Sequence, residues 1–410
     1  MSSNAEFSEL SKNLTKSINI ATKKKEGIYF TPQTIIKNTL DRIQQENVKI
    51  KDVLEPSCGT CEFIHTIDAS YNNTHITGIE LNRQIYDTIK NKTLSNNDLE
   101  VLQEDFLKWQ PENKKYDLII GNPPYFVIKK ANVDERFHEF IDGRPNIFVL
   151  FIAHSLQFLN KDGILAFVLP TNFVNCLYYS AIRYHIYNNY KIIDIIHCDK
   201  NLFMNTAQDT IIFIIQNKTP DEHHNDQFTI NRSTEVFFNS IENTRKLKEL
   251  YNDSTSLSKM GFDVSVGTVV WNQNKDILST DNSNTRLIYS GDIKDNALVL
   301  TKYKDPLKKN YIKKEGIIEP TLVLNRGYGK GKYTFSYCII DQKTPYLLEN
   351  HLICIKPTGQ VAKRTLLKKY KDIIKSFNSD KTKEFIELYF GNNAINTTEL
   401  KQIMPIYQVK

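Results

Sequence analysis

The sequence predicts an α/β fold in which a seven-stranded sheet, covered by helices on both faces, is followed by a mixed α+β domain. Short runs rich in β-branched residues alternate with helical patterns from about residue 48 to residue 216, which is typical of a mostly parallel sheet. The chain has 410 residues, which is too long for a single hydrophobic core of ordinary size. The polar segment NKTPDEHHNDQ at residues 217–227 follows the last run and indicates a boundary. We therefore expect one domain at residues 1–218, with an N-terminal helical segment included, and a second at residues 219–410.

Seven runs are candidate strands of the first domain. They are KDVLE (51–55), HITGIE (75–80), LEVLQED (99–105), YDLIIG (116–121), GILAFVLP (163–170), KIIDIIH (191–197) and TIIFIIQ (210–216). Only DKNLFMNTAQD separates the last two, which is too short for a helical crossover, so they should form an antiparallel pair at one sheet edge. This arrangement fits the Rossmann-like sheet of methyltransferases rather than that of dehydrogenases.

Composition indicates a soluble protein of a reducing compartment. Hydrophobic residues make up 40% and charged residues 24%, no apolar run approaches the roughly 18 residues of a membrane helix, and the N-terminus MSSNAEFSEL has no apolar core of a signal peptide. The six cysteines are scattered, and only Cys58 and Cys61 form a CxxC. Because a zinc site needs four ligands, we interpret this pair as small residues in a tight turn and expect no metal. A cytoplasmic or nucleoplasmic protein without membrane contact is expected.

The formal net charge of +6 is concentrated in the C-terminal part. Residues 301–383 contain 19 Lys and Arg against 7 Asp and Glu. Tyrosines are interleaved with these charges, namely Tyr303, Tyr311, Tyr328, Tyr333 and Tyr337. This pattern is typical of a polyanion-binding face, although a solvated lysine-rich surface would give the same charge.

Three strand ends predict one nucleoside-binding site. The run VLEPSCGTCEF at residues 53–63 ends a strand in a compact turn of small residues, which lets a ligand approach the backbone near a helix N-terminus. Glu80 closes the second strand, a position from which a carboxylate typically binds both ribose hydroxyls. Asp105 closes the third strand and precedes Phe106. The carboxylate can accept a hydrogen bond from an adenine amino group, and the aromatic ring can pack on the base. Ordinary exposed acids after strands remain the alternative interpretation.

The segment YDLIIGNPPYF at residues 116–126 predicts the reaction, since open α/β sheets bind ligands at the carboxyl ends of strands. A conjugated amino group is a poor nucleophile because its lone pair is delocalised. The Asn122 side-chain oxygen and the Pro123 carbonyl can each accept a hydrogen bond from one N–H group of the amine. These two hydrogen bonds would aim the nitrogen lone pair at a methyl donor. Pro123 and Pro124 stiffen the loop, and Tyr125 offers a stacking face worth about 1–3 kcal/mol per base. By itself the loop leaves adenine, cytosine and a glutamine amide open as acceptors.

In order and spacing these segments resemble the gamma class of DNA N6-adenine methyltransferases, a mostly bacterial and viral family, over nearly the whole chain. The family-like segments are YFTPQTIIKNTL (29–40), EPSCG (55–59), GIE (78–80), EDF (104–106), GNPPY (121–125), NIFVLFI (146–152) and GILAFVLPTNF (163–173). The resemblance implies a SAM-dependent methyltransferase domain that needs no metal, flips a base out of double-stranded DNA, and precedes a target-recognition domain. The implied cofactor contacts are Thr31, Glu55, Pro56, Ser57, Gly59, Glu80, Asp105, Phe106 and Phe151. Cys61 departs from the pattern, because many relatives have a second glycine there.

The resemblance also implies contacts to the DNA. Tyr125 and Phe203, the latter in NLFMNTAQD, would stack on the two faces of the flipped base. The segments that resemble a recognition domain are VSVGTVVWNQNKD (264–276), LNRGYGKGKY (324–333), ENHLICI (349–355) and FGNNAINTTELKQIMPIY (390–407). In the second of them, Arg326, Lys330 and Lys332 are candidate contacts to base edges or phosphates.

Other functions remain open at this point. Methyltransferases of a release-factor glutamine and of RNA bases share the NPPY loop, but they generally lack a basic C-terminal extension of about 190 residues and the upstream TPQ. A catalytically silent DNA-binding subunit is disfavoured because the loop is intact. The chain offers no room for a nuclease, so within a restriction-modification system we expect a separate endonuclease. A monomer in the cytoplasm of a bacterium or of a virus-infected cell is expected.

Overall fold

A computed structural model of the chain describes residues 7–199, 203, 208–232, 235–326, 336–390 and 395–407, apart from the side chains of Ile20, Lys24 and Lys25. The chain divides into two compact units, Met1–Thr244 and Arg245–Lys410.

The first unit is built around one large sheet. Its helices are α1 (Glu9–Ser17), α2 (Ile20–Glu26), α3 (Gln33–Gln44), α4 (Glu62–Ser70), α5 (Arg83–Ile89), α6 (Ile147–Leu156) and α7 (Ser180–Asn189). Its strands are β1 (Asp52–Glu55), β2 (His75–Ile79), β3 (Asp98–Leu102), β4 (Tyr116–Gly121), β5 (Leu159–Pro170), β6 (Lys191–His197), β7 (Thr210–Gln216), β8 (Thr229–Arg232) and β9 (Glu235–Phe238). The sheet has seven strands in the order β3-β2-β1-β4-β5-β7-β6. The predicted α/β class and all seven predicted strands are confirmed.

Strand β7 reverses the direction of the sheet at one side. Strands β1 to β5 pair in parallel, whereas β7 is antiparallel to both β5 and β6. Pro170 at the end of β5 pairs with Thr210 at the start of β7. The expected antiparallel pair therefore lies at the edge of the sheet, with β6 outermost.

Alternating side chains of the central strands pack on opposite faces of the sheet. In β5, Ile164 and Val168 join one buried apolar cluster, while Leu165 and Phe167 join the other. The first cluster includes residues of α3 and α4, and the second includes most of α6. Because helices cover both faces, the strands are apolar throughout, as expected for a parallel sheet.

The division between the units lies later than the boundary predicted at residues 218 and 219. Strands β8 and β9 form an antiparallel hairpin after residue 218, and Val236 and Phe238 of β9 are buried in the α6-side core of the first unit. Phe238 stacks on Phe213 of β7 with a centroid distance of 5.8 Å. The hairpin thus belongs to the first unit, although the polar segment before it resembles a linker.

The second unit consists of short strands and two packed helices. Helix α8 (Ile241–Tyr251) spans the division, and α9 (Lys363–Phe377) and α10 (Asp380–Tyr389) follow the strands. The strands are β10 (Ser254–Thr255), β11 (Phe262–Val266), β12 (Leu278–Ser279), β13 (Thr285–Ile288), β14 (Ile293–Lys294), β15 (Ala297–Leu298), β16 (Tyr311–Ile312), β17 (Thr321–Asn325), β18 (Tyr337–Ile340), β19 (Tyr346–Leu348), β20 (Leu352–Pro357) and β21 (Ile406–Tyr407). They form two four-stranded sheets, β11-β20-β17-β18 and β12-β16-β13-β19, and smaller pairs. Within the described ranges, no helix combines the length and apolarity needed to cross a bilayer.

Candidate active site

A cavity that is open to solvent lies at the carboxyl ends of β1, β2 and β4. This is the edge at which open α/β sheets bind their ligands. All nine residues that the sequence suggests as cofactor contacts line it: Thr31, Glu55, Pro56, Ser57, Gly59, Glu80, Asp105, Phe106 and Phe151. Asn122 and Pro124 of the NPPY segment line it as well, so the two predicted sites share one cavity.

The walls of the cavity are acidic and apolar. Six carboxylic acids line it, namely Glu26, Glu55, Glu62, Glu80, Glu104 and Asp105, and no Lys, Arg or His is found among its described lining residues. Such a wall suits a cationic nucleoside and disfavours a phosphate-bearing cofactor, which would need positive partners. One oxygen of Glu55, Oε2, is buried without a hydrogen-bond partner among the described residues and can accept from a ligand. The residues present therefore fit S-adenosylmethionine.

Burial makes two of these acids hold their protons unusually tightly. The pKa of Glu55 is raised well above its ordinary value, first by burial and then by the nearby Cys61, Glu80 and Glu62. Burial also raises the pKa of Glu80 to about 7. A cationic ligand beside these groups would favour their ionised forms.

The turn after β1 is fixed by Glu80. Its Oε2 accepts a hydrogen bond from the Gly59 N–H at 3.0 Å, and its Oε1 accepts from the Asn82 N–H at 2.6 Å. Gly59 has φ +51°, and Cys61, at φ +66°, is the cap residue of α4. Cys61 stands where many relatives have glycine, and it adopts the left-handed conformation that favours glycine. The departure therefore leaves the course of the turn intact.

The cysteine pair is part of this packing. Both Cys58 and Cys61 are buried, and the Cys61 N–H donates to the Cys58 carbonyl at 2.7 Å. No group of three potential metal ligands occurs in the described part of the chain.

The Asp105–Phe106 pair forms a second wall of the cavity. Asp105 Oδ1 accepts a hydrogen bond from the Leu107 N–H at 3.2 Å, and its Oδ2 lies 3.2 Å from Lys108 Nζ. The buried ring of Phe106 packs on Phe151 of α6, with 5.0 Å between the centroids. An aromatic wall thus lies next to a carboxylate.

The Asn122 side chain is held at both ends. Its Nδ2 donates to the Tyr29 carbonyl at 3.2 Å, which orients the amide because a carbonyl can only accept. Its Oδ1 accepts from the Tyr125 hydroxyl at 2.5 Å, and this hydroxyl also lies 2.7 Å from the Val168 carbonyl. Ser57 Oγ donates to the Asn122 backbone carbonyl at 3.2 Å, which connects the cofactor turn to the catalytic loop.

Gly27 lies directly against this loop. It adopts φ +66°, and a Cβ added to it would be 2.8 Å from Pro124 Cβ and 2.9 Å from the Tyr125 nitrogen. These distances are too short for non-bonded atoms, so position 27 has no space for the Cβ of another residue. The segment between α2 and α3 and the NPPY loop therefore approach as closely as their backbones allow.

Comparison with known proteins places this geometry in a functional context. Residues 16–203 match the family model of the Eco57I restriction-modification methylase. The comparisons support a restriction-modification methyltransferase. The type II methyltransferase M.CvrRI of Paramecium bursaria Chlorella virus XZ-6E is 26% identical over 93% of this chain and 94% of its own length. The modification methylase CviBIII of Paramecium bursaria Chlorella virus NC1A is 26% identical over 98% of this chain and 99% of its own length. The DrdV–DNA complex shares the fold, with a TM-score of 0.52, 14% identity, and coverage of 94% of this chain and 57% of that one.

The remaining predicted site residues lie in different environments. The Tyr125 ring is half-buried and packs edge-on against Phe148 at 6.1 Å, and Pro123 is buried. Phe203 is 9% exposed and belongs to the apolar cluster on the α3 and α4 side, not to the cavity lining. Arg326 follows β17, and its Nε is buried without a hydrogen-bond partner among the described residues. Lys330 and Lys332 lie outside the described residues.

Several residues of this site were not predicted as site residues from the sequence. Gly27, Tyr29 and Phe30 line the cavity, and the Phe30 ring lies over the turn, 3.5 Å from where a Cβ on Gly59 would be. The glycine between α2 and the YFTPQ segment was the available signal, but its contact with Pro124 is visible only in the fold. Glu62 was also missed, and its position in the first turn of α4 could have indicated it.

Proposed function

We propose that this protein transfers a methyl group from S-adenosylmethionine to N6 of an adenine flipped out of double-stranded DNA, as the modification enzyme of a type II restriction-modification system. The observation that carries the proposal is that Asn122, whose side-chain amide is oriented by the Tyr29 carbonyl, lines an acidic, aromatic-walled cavity. Its domains would be a catalytic domain in the first unit and a target-recognition domain in the second.

When bound, the cofactor supplies an electrophilic methyl group. Glu80 lies at the end of β2, from where its carboxylate can accept from ribose hydroxyls, and Asp105 with Phe106 and Phe151 can hold the adenine of the cofactor. Glu55 offers a buried oxygen that lacks a partner among the described residues, and it can accept from a cationic group.

Asn122 and Pro123 prepare the acceptor nitrogen. Each N–H bond of the exocyclic amine that donates to Asn122 Oδ1 or to the Pro123 carbonyl draws the nitrogen toward tetrahedral geometry, and the lone pair becomes available. The Tyr29 carbonyl holds Nδ2, so Oδ1 has a defined direction before the base arrives. Because the acceptor oxygen is already oriented, the protein does not need to reorganise during the reaction step.

Base entry brings a new donor to Asn122 Oδ1. In the structure the Tyr125 hydroxyl donates there, but a phenol has one proton, and the Val168 carbonyl at 2.7 Å is a second acceptor for it. Burial raises the pKa of Tyr125 well above its ordinary value, so the hydroxyl keeps that proton. When the amine takes Oδ1, Tyr125 can turn its proton to Val168, and no buried polar group loses its partner.

Double-stranded DNA is favoured over a protein or RNA substrate by the second unit and by the relatives. The two viral relatives, named as type II methyltransferase and modification methylase, match along almost their whole length, including the basic C-terminal part. We further propose that the protein acts as a monomer and that a cognate endonuclease is a separate protein.

Methylation-aware sequencing of DNA from cells that express the protein tests this proposal. We expect N6-methyladenine within one short sequence, and its absence from cells that express Asn122→Ala. Asn91→Ala is the matched control, because Asn91 is exposed and outside the cavity. Methylated cytosine in place of adenine, or methylation of a release factor or RNA with unmodified DNA, would overturn the assigned substrate.

A further inference from the structure

Helix α9 carries a row of cations on the face opposite its buried side. Arg364, Lys368, Lys371 and Lys375 follow one another at spacings of four, three and four residues, which places them within about 60° around the helix axis. All four are exposed. We refer to these four side chains as the α9 cationic row.

The opposite face of α9 fixes the helix to the second unit. Its buried residues are Leu366, Tyr370, Ile373, Ser376 and Phe377. The Tyr370 hydroxyl lies 2.9 Å from the Ile355 carbonyl and 3.2 Å from the Pro320 carbonyl, and Ser376 Oγ accepts from the Tyr407 N–H at 2.9 Å. Because these contacts hold the helix rigidly, the row presents its charges in a preorganised line.

Counter-charges for the row are scarce. Among the described residues, Arg364, Lys368 and Lys371 form no ion pair or hydrogen bond through their side chains. Lys375 Nζ lies 3.9 Å from Asp372 Oδ1, and both side chains are about half exposed, so this pair neutralises little. By contrast, Lys363 and Lys383, outside the row, pair with Asp341 and Asp380 at 2.7 and 2.8 Å.

Such an arrangement destabilises a helix. Like charges three or four residues apart repel each other, and the row contains three such pairs in succession. An ordinary solvated helix face mixes both signs of charge. Uncompensated cations in register are instead expected where a polyanion supplies the missing charge.

The geometry points to the phosphate backbone of duplex DNA as the occupant. From Arg364 to Lys375 the row is about 16 Å long along the helix axis. Over that length, duplex DNA carries one negative charge about every 1.7 Å, on an outer surface that a rigid helix can follow. We propose that the α9 cationic row binds DNA phosphates without reading sequence, and this inference rests on the proposed function.

Fluorescence anisotropy with two short duplexes of unrelated sequence tests the inference over a range of salt concentrations. For the triple variant R364Q/K368Q/K371Q we expect weaker binding to both duplexes by similar factors, at least tenfold at physiological salt. The slope of log K against log salt should become shallower by about 0.9 for each lost phosphate contact. The matched control is K37Q/K49Q/K51Q, which removes three exposed lysines from the first unit and should leave the slope unchanged.

The outcomes separate this inference from the proposed function. If the wild-type protein methylates and binds DNA while the triple variant keeps the wild-type slope, the row does not contact phosphates and the inference is wrong. Loss of binding to one duplex only would assign these residues to sequence reading instead. If the wild-type protein neither binds nor methylates DNA, the proposed function itself fails. An unchanged cofactor affinity and melting temperature of the triple variant show that it is folded.

Discussion

The Tyr125 hydroxyl lies 2.5 Å from Asn122 Oδ1, the atom that the proposed mechanism needs as an acceptor for the target amine. The residue that would stack on the base thus also donates to the atom that would accept from the amine. Its ring and its hydroxyl therefore have separable roles.

Replacement of Tyr125 separates these roles. Tyr125→Phe keeps the ring and frees Oδ1, so we expect its methyl-transfer rate to stay within about fivefold of wild type, because one neutral hydrogen bond contributes roughly 1 kcal/mol. Tyr125→Ala removes the stacking face and should lower kcat/KM by about 5- to 150-fold, which corresponds to about 1–3 kcal/mol. Single-turnover transfer of a labelled methyl group to duplex DNA measures both. Equal impairment of the two variants would mean that the hydroxyl, not the ring, is needed.

Gly27 is the position where a single added methyl group should disturb catalysis most. In Gly27→Ala the new Cβ would be 2.8 Å from Pro124 Cβ and the residue would keep φ +66°, so either the loop moves or the backbone is strained by about 1–2 kcal/mol. Because small displacements of acceptor groups cost much of the rate, we expect at least a tenfold loss of single-turnover rate. Gly359→Ala is the control, since nothing lies within 4 Å of its added Cβ. A Gly27→Ala enzyme with wild-type rate would show that the loop tolerates displacement.

Cofactor affinity should depend on pH through Glu80. Its pKa is raised from 4.5 to about 7, so the folded protein binds this proton more tightly than the unfolded chain, and stability without cofactor falls as pH rises between those values. The ionised carboxylate is the better acceptor for ribose hydroxyls. We therefore expect affinity for S-adenosylmethionine, measured calorimetrically, to rise by up to about tenfold per pH unit below 7 and to level off above it. In Glu80→Gln this dependence should disappear, and its persistence would assign it to another group.

Glu62 should anchor the N-terminal helix to the cofactor turn. Its Oε1 accepts from the Ser8 N–H at 3.0 Å, from Ser8 Oγ at 2.6 Å and from Ser11 Oγ, while Glu62 is 4% exposed. Hydrogen bonds to a charged group contribute about 1.5–3 kcal/mol, so Glu62→Ala should lower the free energy of unfolding by about that amount and accelerate amide exchange in α1. Glu9→Ala, which removes only an exposed pair with Lys12, should change neither. Unaltered exchange in Glu62→Ala would show that α1 is held by other contacts.

The strands and the cofactor turn could be predicted because their signals are local. Runs such as TIIFIIQ have the composition of buried strands, and Glu80 and Asp105 directly follow strands, so their convergence is a consequence of a parallel sheet. The Gly27–Pro124 contact could not be predicted, because it joins residues 97 positions apart through close backbone packing. The hairpin of β8 and β9 was assigned to the wrong side of the boundary for a similar reason, since its burial against Phe213 leaves no mark in the polar segment before it.

The second unit resisted prediction because its order is non-local. Many of its strands have two residues, which is too short for a periodic pattern, and β10 pairs with β21 across about 150 residues of sequence. Arg326 could be chosen as a candidate DNA contact because its segment is basic and rich in glycine. The burial of its Nε could not be inferred from that composition.

The reversal of β7 has a consequence for how this protein can evolve. Since β7 runs opposite to β5, the connection from β6 to β7 returns to the same edge of the sheet at which β4 ends in the NPPY loop. The cofactor, by contrast, would be held by the turns after β1 and β2, on the other side of β4. Under the proposed function, insertions or substitutions in this connection would change the protein beside the NPPY loop without changing the residues around the methyl donor.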